Sequence, residues 1–183
     1  MQLDLRYIGD SILREKTKEV DVITDEIRIL VRDMIETMHA KNGIGLAAPQ
    51  IGSLHRIFVC LVVEETEGQR FKTETQRVYI NPKIESVSEE MVGMNEGCLS
   101  IPGLYVDHIM RPKTITVSSI DLEGNKIVET ITGWHARVVL HENDHLNGVL
   151  FIDRLQPKQK KMVEEEVKKI KKKIEKKQSR IRH

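Results

Sequence analysis

No stretch of this chain is long and apolar enough to span a membrane, and its start, MQLDLRYIGD, has neither a basic leader nor an apolar export core. Nor is that start rich in arginine and serine, as a transit sequence would be. Cysteine is scarce: Cys60 and Cys98 are the only two. Without an export signal, free thiols or a metal thiolate are expected over a disulfide. No internal repeat is visible. These absences point to a cytoplasmic globular protein with no membrane partner, and 183 residues suffice for one domain with a real core.

The net charge of +1 hides a split. Residues 158–183 hold 12 Lys/Arg against 4 Glu, whereas residues 1–157 hold 17 Lys/Arg against 24 Asp/Glu. An acidic body, 1–157, therefore carries a basic tail, 158–183.

The most informative stretch is LHENDHLNGVL, Leu140 to Leu150, with His141, Glu142 and His145 in the pattern H-E-x-x-H. On a helix, residues four apart share a face, so both imidazoles can point at one ion. Glu142 lies at the edge of that face, placed to accept a proton from metal-bound water. The bland reading is an exposed helix that happens to carry two histidines. A chain of this composition produces the pattern by chance only about 0.03 times.

Along the chain, Asp25 to His39 reads as a helix. Thr24 is its N-cap, acids fill its first turn, and Ile27, Leu30, Val31, Met34, Ile35 and Met38 follow the 3.6-residue period. Asn42-Gly43 stops it. GIGLAAPQIG, residues 43–52, is either a turn into the next strand or a segment whose bare backbone another chain can approach. It lacks the G-K-S/T of a phosphate loop. Arg56–Val63 reads as a buried strand with Cys60 as packing, Glu64–Gln76 as a polar surface loop, and Arg77–Asn81 and Lys83–Ser88 as short strands separated by Pro82. Met91–Gly103 has too many glycines for a helix. Lys113–Asp121 and Lys126–Thr132 flank the hairpin signal Glu123-Gly124-Asn125. The motif helix runs from Gly133 or Trp134 to Leu146. Together these predict an α+β fold, antiparallel sheets packed around a central helix carrying H-E-x-x-H, with an additional C-terminal helix.

A catalytic site with one open position needs a third ligand. Asp153 and Glu164 downstream are out of frame. Cys98 in EGCLS is the upstream candidate, and on spacing alone it is as well read as a buried apolar thiol.

GIGLAAPQ, EGCLS and HENDH, in this order, resemble the three signature motifs of the peptide deformylases. The likeness extends over most of residues 1–157, including Gly9–Arg14 and the SIPG after the cysteine motif. The resemblance implies hydrolytic removal of the formyl group from the formyl-methionine of new polypeptides, with release of formate. It also implies that Cys98, His141 and His145 hold one divalent metal, whose water attacks the formyl carbon. Glu142 then acts as general base and acid, while Gln50 and the Leu99 N–H hold the oxyanion. Ile44 and Gly45 would pair with the substrate backbone, and Ile44, Met94, Trp134 and Val138 would line the methionine pocket. Glu96 would pair with Arg111 or Arg137, and Asp144 would orient a ligand histidine or cap locally. Leu140 stands where many members have glutamine.

Cys/His₂ ligation suits Fe(II), Zn, Ni or Co alike; the resemblance favours Fe(II) in the cell, with the others acquired in preparations. Two rival classes use the same residues: a metalloprotease, against which the upstream cysteine argues, and a non-catalytic metal module, against which Glu142 and Gln50 argue. In the tail, Val163, Val167, Ile170, Ile174 and Ile181 form one apolar stripe on a helix whose basic residues concentrate late. That helix either docks by its stripe with a solvated basic face or contacts ribosomal RNA, as the C-terminal helix of similar bacterial enzymes does.

Overall fold

The computed structural model describes residues 1–66 and 69–181, of which 65–66, 69–74, 178, 180 and 181 are described by backbone alone. Among the described residues, three α-helices, α1 (Asp25–Ala40), α2 (Gly133–Leu146) and α3 (Pro157–Ile181), combine with seven strands. The strands are β1 (Gly45–Ala47), β2 (Ile57–Thr66), β3 (Gln69–Val87), β4 (Met91–Cys98), β5 (Ile101–Pro112), β6 (Thr114–Ile120) and β7 (Lys126–Thr132). They form an antiparallel five-stranded sheet in the order β1-β2-β3-β6-β7 and a separate ribbon, β4-β5.

Strand alternation builds the layers. In β2, Ile57, Val59 and Leu61 face a core shared with Ile27, Val31, Met34 and Met38 of α1. Phe58 and Cys60 face the opposite core, with Ala136, Val138 and Val139 of α2. A register shift between Leu61 and Val63 changes the phase, so Val63 joins Phe58 and Cys60. The sheet is thus sandwiched between α1 and α2. On its other side α2 meets the β4-β5 ribbon, a third core and the short 3-10 turn Phe151–Arg154. Helix α2 is therefore walled in, which explains why nine of its residues, polar ones included, are buried.

The helical expectations hold closely. Thr24 caps α1 by accepting from the Ile27 N–H at 3.5 Å, and the hairpin around Gly124 joins β6 to β7. Two expectations need correction. Where it is described, Glu64–Gln76 is no loop: β2 and β3 continue as a paired arm through Glu64↔Phe71 and Thr66↔Gln69, and residues 67–68 lie outside the described residues. Cross-strand pairing at a sheet end supports polar residues that lack an apolar face, so composition misleads there. The segments on either side of Pro82 are one strand, β3, which absorbs the proline at a register shift beside Asn81, whose φ is +52°.

Helix α3 docks by its stripe. Ile170 is buried, and Val163, Val167 and Ile174 pack on the cluster of Leu104, Val106, Ile109, Phe151 and Leu155. The Ile181 side chain lies outside the described residues. Ile170→Ala is expected to lower unfolding free energy by about 2 kcal/mol or more in urea titrations; a change below about 0.5 kcal/mol would mean that α3 is solvated all round.

Candidate metal centre

His141 and His145 sit one turn apart on the buried stretch of α2, and Cys98 ends β4 directly opposite. One donor atom from each of the three lies within 4.8 Å of the others. Cys98 Sγ is 3.3 Å from His145 Nε2, and the two imidazole rings stand 5.2 Å apart at 73°, as ligands on two corners of a tetrahedron would.

A second partner orients the first of these imidazoles. His141 Nδ1 donates to Glu96 Oε2 at 2.9 Å. An ionised carboxylate only accepts, so Nδ1 carries a proton and Nε2 is the ring nitrogen turned away from Glu96. Phe151 backs the same ring at 6.1 Å and 25°. Glu96 is buried and also accepts from Arg111 Nε (2.6 Å), Arg111 Nη2 (2.9 Å) and Arg137 Nη1 (2.7 Å). Burial alone would raise its pKa, but hydrogen bonds from His141 and Arg111 outweigh burial and hold Glu96 well below the ordinary carboxylate range. Both arginines considered for Glu96 therefore bind it. Asp144 does not orient a ligand histidine as expected: its carboxylate accepts from Arg111 Nη1 at 2.7 Å and from Arg154 Nη2 at 2.5 Å, and Glu96 is what holds His141.

Glu142 is 4% exposed, and its Oε2 has no hydrogen-bond partner among the described residues. Burial pushes its pKa up to about 7. It fits only because residue 45 is glycine: a Cβ there would overlap the Glu142 carboxylate. Burial holds His145 well below its ordinary pKa, so this imidazole is neutral and ready to ligate. Two imidazoles, a thiol and an unpartnered buried carboxylate oxygen suit a divalent cation with one open corner.

Gln50, 1% exposed, has its Oε1 pinned by the Ala47 N–H at 2.8 Å while Nε2 faces Cys98 Sγ at 3.5 Å. A cleft of about 490 Å³ opens onto the centre. Ile44, Gly45, Gln50, Cys98, Leu99, Trp134, Val138, His141 and Glu142 all line it; Met94 does not, and Asn95 lines it instead. A register shift between Met94 and Glu96 breaks the alternation of β4 and brings Asn95 and Glu96 to the cleft together. Leu140 packs in the apolar core beneath α2. Three contributors are not among the residues that motif reasoning singles out: Phe151, Arg154 and Ser100, whose Oγ accepts from Gln50 Nε2 at 3.2 Å. The serine of EGCLS was a visible signal; the other two follow the metal motif with no spacing rule to mark them.

Residues 2–161 match the model of the family described as polypeptide deformylase. The chain is 47% identical over 150 residues to peptide deformylase 1 of Clostridium perfringens, covering 82% of this chain and 95% of that protein. Its fold is similar to the crystal structure of peptide deformylase from Ehrlichia chaffeensis, with TM-score 0.83, 39% identity and coverage of 94% and 98%. A structure of the Ehrlichia chaffeensis enzyme in complex with actinonin is similar at TM-score 0.81 and 42% identity, covering 92% of this chain and 96% of that one.

Glu96→Gln removes one of the oxygens that the two arginines and His141 share. The half-life of bound metal under chelator challenge is expected to shorten about 10–100-fold, and an unchanged half-life would deny Glu96 its orienting role.

Proposed function

This chain belongs to the polypeptide deformylase family and hydrolyses the formyl group from the N-terminal formyl-methionine of polypeptides; we propose that Cys98, His141 and His145 hold its cation and that Glu142, Gln50 and Leu99 carry the chemistry. The observation that supports this assignment best is the unpartnered oxygen of Glu142 buried beside three converging donor atoms. A divalent cation on that donor set supplies Lewis acidity, polarising a carbonyl and acidifying water.

Glu142 Oε2 takes a proton from the water that adds to the formyl carbon, and its raised pKa lets it keep that proton until the amine departs. Delivery of the proton to the amine nitrogen, as the C–N bond breaks, yields formate and a free N-terminus. Gln50 Nε2 and the Leu99 N–H donate to the formyl oxygen as it gains charge.

The substrate enters as a strand. β1 is at the edge of its sheet, and Ile44 and Gly45 line the cleft, where an extended peptide can hydrogen-bond to their backbone. Backbone pairing is indifferent to sequence, which suits an enzyme acting on many N-termini. Ile44, Trp134 and Val138 form the apolar wall for the methionine side chain.

The native cation in this proposal is Fe(II), with zinc, nickel or cobalt taken up in preparations; the Cys/His₂ set accommodates all four. No helix among the described residues is long and apolar enough to cross a membrane, and the proposed setting is the cytoplasm, where formylated chains are made. Residues 1–157 form the catalytic unit and 158–183 a basic tail; the outer face of its helix, α3, meets ribosomal RNA, the apolar face being occupied by the body.

With a formyl-Met tripeptide, Gln50→Ala is expected to lower kcat by about 10²–10³-fold, and Glu142→Ala to lower it further at equal metal content. A Glu142→Ala variant that turns over normally would remove the carboxylate from the mechanism. Charge reversal at Lys171, Lys172, Lys173, Lys176 and Lys177 is expected to abolish co-sedimentation with ribosomes at low salt and leave tripeptide turnover intact. Unaltered co-sedimentation would make the basic face a solvated surface only.

A further inference from the structure

We infer that Ser100 is a positioning residue for the hydrolysis: its hydroxyl holds one hydrogen of the Gln50 amide so that the other is offered to the reacting oxygen. The inference rests on the assignment of Gln50 as oxyanion donor and goes one residue beyond it.

The Ala47 N–H can only donate, so the Gln50 atom 2.8 Å away is the carbonyl oxygen and the NH₂ group faces the opposite way. That NH₂ has two hydrogens and two neighbours, Ser100 Oγ at 3.2 Å and Cys98 Sγ at 3.5 Å. The two neighbours differ in kind. Ser100 is fully buried and does not line the cleft, whereas Cys98 does. A hydroxyl oxygen is also the better acceptor, sulfur being weak and diffuse. The hydrogen on the serine side is therefore committed to the scaffold, and the one on the sulfur side can move to a developing oxyanion at little cost.

The turn that carries Ser100 is itself fixed. Cys98 pairs with Ile101 across it, and the Ser100 carbonyl accepts from the Ile8 N–H at 2.9 Å. Three successive residues thus present a metal donor, a backbone N–H and the anchor for the side-chain amide. Preorganised donors aid catalysis because they need not reorient during reaction. Without Ser100 Oγ, the amide plane keeps its carbonyl anchor but can swing about it, and one buried N–H loses its acceptor.

The test is a double-mutant cycle on metal-replete protein with a formyl-Met tripeptide, comparing S100A, S100T, Q50A and Q50A/S100A. S100A is expected to lower kcat about tenfold, the size of one hydrogen bond, with KM within twofold. S100T, which keeps the hydroxyl, is expected to recover most of the loss. In the Q50A background S100A is expected to cost nothing further. Metal retention under chelator should be unchanged, since Ser100 acts through Gln50 and not through Cys98. S100A without effect, or with the same loss in both backgrounds, would overturn the role of Ser100 while leaving Gln50 as donor. Q50A with unchanged kcat would overturn the assignment of Gln50 and this inference with it.

Discussion

The Glu96 carboxylate is where the fold and the site are joined. An ionised carboxylate buried alone would cost many kcal/mol; here Arg111 from β5, Arg137 and His141 from α2 satisfy it from two elements. Arg111 extends the network to Asp144, and Arg154 closes it from the turn after α2. These groups are bound to one another, and removing the Glu96 or Arg111 side chain would leave buried charged groups short of a partner. The ribbon is thereby held to α2 in one register, and Cys98, two residues beyond Glu96, arrives opposite the two histidines. The convergence of the three donor atoms is a consequence of this clasp as much as of the H-E-x-x-H spacing.

Around that clasp the site is divided by polarity. The ligand face of α2 meets charge and hydrogen bonds, whereas its opposite face packs Val139 and Ala136 against the sheet. Glu142 lies between the two regimes. Its backbone is fixed by the same helix as the ligands, but its carboxylate has burial on one side and the glycine-lined edge of β1 on the other. A Cβ at position 45 would overlap it, so the bare backbone at this edge of the cleft is what gives the carboxylate room.

Local chemistry was readable from the chain and long-range pairing was not. The cap at Thr24, the period of α1, the hairpin at Gly124 and the two-histidine face of α2 depend on neighbours within a few residues, and each appears where expected. The paired arm of β2 and β3 and the ribbon β4-β5 depend on partners far along the chain, and their polar or glycine-rich composition resembles a loop. The same limit governs the site. His141, His145 and Glu142 were legible from spacing, whereas Cys98 became a ligand candidate of weight only through the resemblance of three motifs. Asn95 in place of Met94 follows from a bulge that no periodicity announces. Ser100, Phe151 and Arg154 act by contact with residues reached only in three dimensions.

X-ray absorption on the anaerobically purified protein tests the central claim most directly, because it reads the donor set without reference to activity. The account predicts one sulfur scatterer at about 2.3 Å and two imidazole nitrogens near 2.0–2.1 Å, with the sulfur contribution lost in Cys98→Ser. A shell built only of nitrogen and oxygen in the unaltered protein would contradict the convergence of Cys98 with His141 and His145 on one ion.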